Sequence, residues 1–496
     1  MERTTQFTTQ PQGHTPRRGY WQVTLQLAVI LLCTGLGIAS HAPTVSAQQT
    51  PTDIQQKNNP FGIVEGFWFP EMTCDLGVGW ERIIFDWAQH QPEGPTDWFT
   101  LNVDDRWLKA ANQCNREVVA LLKNTPAWAT SGIPGAGIPN GLYLPVDDPD
   151  NHWANFVRQS ASYYAPRGVN RFIIWNEPDI SRETYGFEFE GELEDYFQMV
   201  RVASIAAKQG NPAAEIHLAG TTYWHDRNEG RRVYLDRLLE RITQDEDAAA
   251  HGYYFDAISL HIYFRTDSVY DIVNEARQLL DSYGLEDKAI WINETNAPPT
   301  QDPEWPVNRP VFQYTLEQQA AFVMQGAALG KAAGAERIAV YKLYDQQLPE
   351  GGETFGILRP ADQSTRPAFD AWQTVNTLFY DVESAARFST ETADSVVMTM
   401  HDDGIAVALW SRDGEDRQIT ITADAGTVYG HLDGSTPVDT FEGETTLTLP
   451  AANCNGDDPE IPCPVGGAPV IVMVNGDSLT IQEIQSDGTI ASLFEQ

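Results

Sequence analysis

Two stretches decide the reading of this chain: Arg171-Phe-Ile-Ile-Trp-Asn-Glu-Pro178 and Ala289-Ile-Trp-Ile-Asn-Glu-Thr-Asn296. Each is an apolar run of strand length that closes on Asn and then Glu. Continuous apolar runs, rather than alternating ones, suit parallel strands covered on both faces. A carboxylate at the end of such a strand loses hydration unless other groups compensate it. Glu177 and Glu294 therefore read as two working carboxylates that face one cavity. Pro178 stops the first strand and fixes the loop behind it.

Six more runs of the same kind surround these two. The expected strands are Phe61–Glu65, Trp80–Phe85, Glu117–Leu122, Arg171–Asn176, Glu215–Ala219, Phe255–His261, Lys288–Asn293 and Arg337–Leu343. Helical periodicity fills most of the gaps, as in Trp153, Phe156, Val157, Ser160 and Tyr164, or Val269, Ile272, Val273, Ala276 and Leu280. Repeated strand–helix units point to an α/β fold, a closed (β/α)8 TIM barrel over residues 60–378. An open doubly wound sheet is the alternative, but no Gly-x-Gly-x-x-Gly follows any strand. After Phe379 the helical period stops. Val396–Thr399, Ile405–Trp410, Gln418–Thr422, Thr445–Leu449 and Val470–Val474 read as short strands between Gly/Asp turns. They predict a C-terminal antiparallel β-sandwich domain over residues 379–496, either a structural support or a carbohydrate-binding module.

The chain has 496 residues, enough for two or three domains. Arg17 and Arg18 precede an apolar stretch from Leu25 to Ala39, and Val45-Ser46-Ala47 offers a small-residue cleavage site, so residues 1–47 read as a signal peptide. The alternative is an uncleaved membrane anchor. Residues 48–59 are polar and read as a linker. Export suits the cysteines: beyond the leader Cys74, Cys114, Cys454 and Cys463 remain, an even set in an oxidising setting. Cys454 pairs most readily with Cys463 in a Pro/Gly/Asp-rich loop, and a Cys74–Cys114 bond depends on neighbouring helices. The protein is expected to be secreted or extracytoplasmic, or membrane-anchored if the leader stays. Net charge is −37, which argues against nucleic acid or an anionic membrane as partner.

In such a barrel the C-terminal strand ends carry the active site. There, Asn-Glu-Pro follows the fourth strand and a second Glu follows the seventh, and with them the chain resembles the retaining glycoside hydrolases of clan A over about Phe61 to Trp372. Thr125-Pro-Ala-Trp128 and Phe355-Gly-Ile-Leu358 look most like families 39 and 5, which include β-xylosidases, α-L-iduronidases and β-glucanases. The resemblance implies that Glu177 is the acid/base and Glu294 the nucleophile. It also implies that Asn176 contacts the sugar 2-hydroxyl, that Tyr263 partners the nucleophile and that Arg82 lies near it. His261 closes the sixth strand beside Tyr263 and is expected in the site. Trp68, Trp128 and Trp224 follow strands one, three and five, where exposed indoles stack on sugar faces. Asp86 and His90 follow the second strand and fall near the same cleft. One departure stands out. Many clan members end strand eight with a Trp beneath the sugar, whereas here it reads Ala339-Val-Tyr-Lys-Leu-Tyr-Asp345, so Tyr341 or Tyr344 is expected there.

The expected activity is hydrolysis of O-glycosidic bonds in oligo- or polysaccharides by double displacement, with a carbohydrate as the partner. No metal-binding spacing such as His-Glu-x-x-His occurs, and the chemistry calls for no cofactor. A non-catalytic carbohydrate-binding barrel and a transglycosylase are the competing readings.

Overall fold

The computed structural model describes residues 59–495, apart from 185, 347, 457–460 and 486. The expected leader and nearly all of the expected linker lie outside the described residues. Asn59, expected to end the linker, is buried. Its amide donates to the Gly77 carbonyl at 2.8 Å and to Asn376 Oδ1 at 2.7 Å.

Eight parallel strands close into a barrel in chain order. They are β1 (Phe61–Val64), β2 (Trp80–Asp86), β3 (Glu117–Lys123), β4 (Arg171–Ile174), β5 (Glu215–Leu218), β6 (Ala257–Tyr263), β7 (Ala289–Asn296) and β8 (Arg337–Val340). Every expected run forms a strand, but three boundaries differ in ways that matter. β4 stops at Ile174, because Trp175 takes a left-handed backbone with φ 71°. β6 and β7 continue beyond their expected ends, so Glu294 lies inside β7 rather than after it.

Alternation along the strands sends Val64, Trp80, Val119, Leu121, Ile173, Ala257, Trp291 and Ala339 into the barrel, where they fill its interior. The other set faces the surrounding helices. Ion pairs seal the end where the strands begin. Arg171 and Arg337 both reach Glu117, and their guanidinium carbons lie 5.6 and 4.6 Å from the Trp291 ring centre. His217 meets the same indole edge-on at 4.5 Å; burial, with help from the two arginines, pushes its imidazole down to about 3. This end is therefore closed, and chemistry is left to the opposite face.

The second unit is an antiparallel sheet of β9 (Val382–Ser389), β10 (Ala393–Met400), β11 (Ile405–Ser411), β12 (Arg417–Gly430), β13 (Asp439–Leu449), β14 (Val470–Ile484) and β15 (Ile490–Glu495). Their order is β13-β12-β14-β11-β10-β9, with β15 on β14. The long strands β12 and β14 let the sheet fold over itself around Val407, Leu409, Ile421, Val472 and Ile481. Its edges come together where Phe388 of β9 meets Phe494 of β15 at 4.8 Å. The other face, with Val396, Met398, Ala408 and Trp410, joins the core of the barrel. Trp410 is thus buried and offers no open ring.

Both expected disulfides form, Cys74–Cys114 and Cys454–Cys463, with Cα separations of 5.8 and 4.0 Å. Among the described residues no helix is long and apolar enough to cross a membrane. Among the described residues two ion pairs have neither side chain exposed, Arg366 with Asp302 and Arg116 with Glu81, where Arg116 Nε lies 3.1 Å from Glu81 Oε1. Burial raises the Glu81 carboxyl even with Arg116 beside it. Arg116→Met would leave that carboxylate without its cation and should cost about 3–5 kcal/mol of stability in a denaturant titration. A loss under about 1 kcal/mol would mean that the pair is solvated like a surface one.

Candidate active site

Local backbone distortion brings the two glutamates together. β6 and β7 pair in register up to Leu260 and Ile292; the next pair is His261 with Glu294, so Asn293 is an extra residue in β7. Such a bulge re-aims the side chains after it. Here it sets Glu294 beside His261 instead of leaving it among the surrounding helices. On β4 the change is a left-handed break. Trp175 and Glu177 have φ of 71° and 40°, a region that side chains of this size rarely occupy. The Glu177 amide then donates to the Gly220 carbonyl at 3.1 Å, which ties the turn to the end of β5.

One carboxylate oxygen of Glu177, one of Glu294 and a ring nitrogen of His261 all lie within 4.8 Å of one another. Glu294 is 6% exposed. Its Oε1 meets Arg82 Nη2 at 2.5 Å, and its Oε2 accepts from the Tyr263 hydroxyl. His261 Nδ1 is 3.5 Å from that second oxygen and 2.7 Å from Glu177 Oε1. Burial pulls the Glu294 carboxyl up, but Arg82, His261 and Tyr263 outweigh it and hold the group below its ordinary value. Burial pulls the His261 imidazole down, and the two glutamates outweigh that too, so it sits above its ordinary value. The site therefore pairs an ionised, enclosed carboxylate with a second one that keeps 20% exposure.

The same trio is the one group among the described residues with the spacing to hold a metal ion. Its donors are already engaged. Arg82 and Tyr263 take the two Glu294 oxygens, and a guanidinium 2.5 Å from one of them opposes a second cation.

The remaining expected site residues divide. Asn176 is half-buried, and its amide donates to Glu188 Oε2 at 3.0 Å. Trp224 is 38% exposed at the start of the short helix after β5 and borders a cavity of about 440 Å³. Trp128 packs between Trp87 and His152, with its indole N–H on the Gln91 carbonyl. Trp68 packs on Phe67 and Trp107. Tyr344 turns to Phe69 and the Pro360 carbonyl, whereas the Tyr341 ring stands 6.2 Å from that of Tyr263. Asp86 caps the following turn and accepts from Asn124. His90 is a core residue, bonded to Tyr164 and the Asp86 carbonyl.

Three supports escaped sequence reasoning. Lys123, the last residue of β3, lies 2.6 Å from Glu188, which in turn holds Asn176. Asp179 accepts from the Thr222 amide and hydroxyl and so pins the β4 loop to the β5 loop. Gly220 leaves room for the His261 ring, since a Cβ there would stand 2.1 Å from Nε2. Reading one residue further along each strand end would have found Lys123; Glu188 and Asp179 lie in loops with no period to mark them.

No family model matches the chain, and no curated protein matches it in sequence. Solved structures do share its fold. A family 39 glycoside hydrolase from the gut symbiont Bacteroides cellulosilyticus WH2 superposes with a TM-score of 0.63 at 14% identity, over 85% of this chain and 82% of that one. A monomeric β-xylosidase from Caulobacter crescentus CB15 gives 0.54 at 13% identity, over 84% and 95%. A family 30 endoxylanase from Clostridium papyrosolvens C71 gives 0.54 at 12% identity, over 84% and 96%. The chain thus has the barrel-plus-sheet fold of these clan A glycoside hydrolases.

Proposed function

We propose that the chain is a secreted retaining glycoside hydrolase, β-xylosidase-like or β-glucanase-like, that cleaves O-glycosidic bonds of oligo- or polysaccharides by double displacement. The observation that carries this reading is the gap of at most 4.8 Å between carboxylate oxygens of Glu177 and Glu294. Retaining enzymes hold their two carboxyl groups about 5–5.5 Å apart, and inverting ones about 6.5–9.5 Å apart to admit a water. The leader sequence and the two disulfides support secretion.

In the first step ionised Glu294 attacks the anomeric carbon. The bond to the leaving oxygen breaks, and Glu177 gives that oxygen its proton. A glycosyl ester on Glu294 results. In the second step Glu177 takes a proton from water, the water oxygen bonds to the anomeric carbon, and Glu294 departs as a carboxylate. Arg82 and Tyr263 keep the nucleophile charged and aimed, while His261, at 2.7 Å, holds the Glu177 carboxyl in place. Asn176, steadied by Glu188, is the hydroxyl contact, and the open face of Trp224 is a stacking surface further out.

Glu294→Gly should abolish turnover of aryl glycosides. Azide should restore part of it and give the inverted glycosyl azide, whereas rescue with retained anomer would remove Glu294 from the nucleophile role. Glu177→Ala should cost about 10²–10⁴-fold on substrates with poor leaving groups and far less on activated ones. Equal losses on both would remove Glu177 from the acid role. Because Arg82 is the largest influence that lowers the Glu294 carboxyl, Arg82→Met should move the acid limb of the kcat/KM profile to higher pH. An unmoved limb would mean that another group sets it.

A further inference from the structure

Two ions at the barrel mouth take no part in the steps above. Glu65 follows β1 and Lys342 lies just past β8, and these strands pair directly. Lys342 Nζ donates to Glu65 Oε2 at 2.8 Å. The pair is not sealed like Glu81–Arg116, because its side chains keep 14% and 17% exposure. No described residue bonds the two other N–H groups of Lys342 or the Oε1 of Glu65. The pair thus presents spare donors beside a spare acceptor.

Two links join it to the carboxylates. The Glu65 amide donates to the carbonyl of Arg82, whose guanidinium holds Glu294, and the Glu65 backbone is left-handed with φ 58°. Strained backbone of this kind gathers at functional sites. The second link is Tyr341. Its ring centre is 5.4 Å from Lys342 Nζ, and its ring stands beside Tyr263, which bonds Glu294. Behind burial, the charges of Glu294 and Glu65 both raise the Tyr341 phenol, as expected of groups around one pocket.

Beyond β7 the barrel continues to β8 and β1, so a glycosyl unit with its anomeric carbon at Glu294 and its leaving oxygen at Glu177 would meet the pair if its far edge lay on that side. That edge carries the hydroxyls at C3 and C4. An ammonium beside a carboxylate matches two adjacent hydroxyls, one accepting from Lys342 and its neighbour donating to Glu65. A sugar carboxylate there would meet the charge of Glu65. We infer that Lys342 and Glu65 clamp the C3 and C4 hydroxyls of a neutral glycosyl unit and determine which sugar the site accepts. This inference rests on the hydrolase reading.

The test uses the full chain, the aryl β-glycoside it turns over fastest, the 3-deoxy and 4-deoxy counterparts and the matching uronoside. Values of kcat/KM are compared for the wild type, Lys342→Met and Glu65→Gln, with thermal melting to confirm that each variant is folded. The wild type should lose about 10²-fold on the deoxy substrates, because its polar groups would be left unpaired. Each variant should lose a similar factor on the parent and little more on the deoxy substrates, and Glu65→Gln keeps the shape of the site should Lys342→Met melt early. Equal use of parent and deoxy substrates by the wild type overturns the clamp, as do variant losses independent of those hydroxyls or a preference for the uronoside. These results leave the hydrolase reading intact, whereas no turnover of any glycoside sinks both.

Discussion

Glu294 keeps its charge in a nearly closed place because three donors converge on it. Taking a carboxylate out of water is costly, and one neutral partner does not compensate. Here a guanidinium at 2.5 Å, a phenol hydroxyl and an imidazole at 3.5 Å surround it. They come from two strands: Arg82 from β2, and His261 and Tyr263 from β6, next to β7. Only a closed sheet brings β2 and β6 around one side chain. In the proposed mechanism the same enclosure that makes the charge expensive serves the nucleophile, because few waters compete for it.

Precision comes from small irregularities on a rigid frame. One extra residue in β7 turns Glu294, and two left-handed residues after β4 turn Glu177. Each left-handed residue costs about 1–3 kcal/mol and persists only where the surroundings fix it. The surroundings do so here. The barrel interior is filled by Trp80, Trp291 and their neighbours, and the Gly220 carbonyl holds the Glu177 turn. The curled sheet adds to the rigidity, as Gln325 of the helix Leu316–Ala332 donates to the Gly467 carbonyl at 2.8 Å.

The architecture was legible because burial on both faces writes itself as unbroken apolar runs, and two such runs ending in Glu stand out. What was not legible was conformational. Nothing in Ala289-Ile-Trp-Ile-Asn-Glu-Thr-Asn296 announces a bulge, so β7 was expected to end at Asn293, short of Glu294. Trp175 was assigned to a strand because its side chain suits one, although its backbone is left-handed. The tryptophans pose a different problem: their position past strand ends says nothing of how much of each ring stays open, and Trp128 and Trp68 are partly buried against neighbouring aromatic rings. Lys342 lies between Tyr341 and Tyr344, and nothing in that stretch marks its ion pair with Glu65. Sequence identities of 12–14% with structures of the same fold show that most individual residues can differ within it.

In the proposed mechanism the space between Glu177 and Glu294 is too narrow for a water to attack directly. Proton NMR of the first-formed sugar, recorded before mutarotation on an aryl glycoside that the wild-type protein hydrolyses, measures this outright. Double displacement requires that the product keep the anomeric configuration of the substrate. An inverted first product would mean that water enters between the carboxylates, and the double-displacement account would fail.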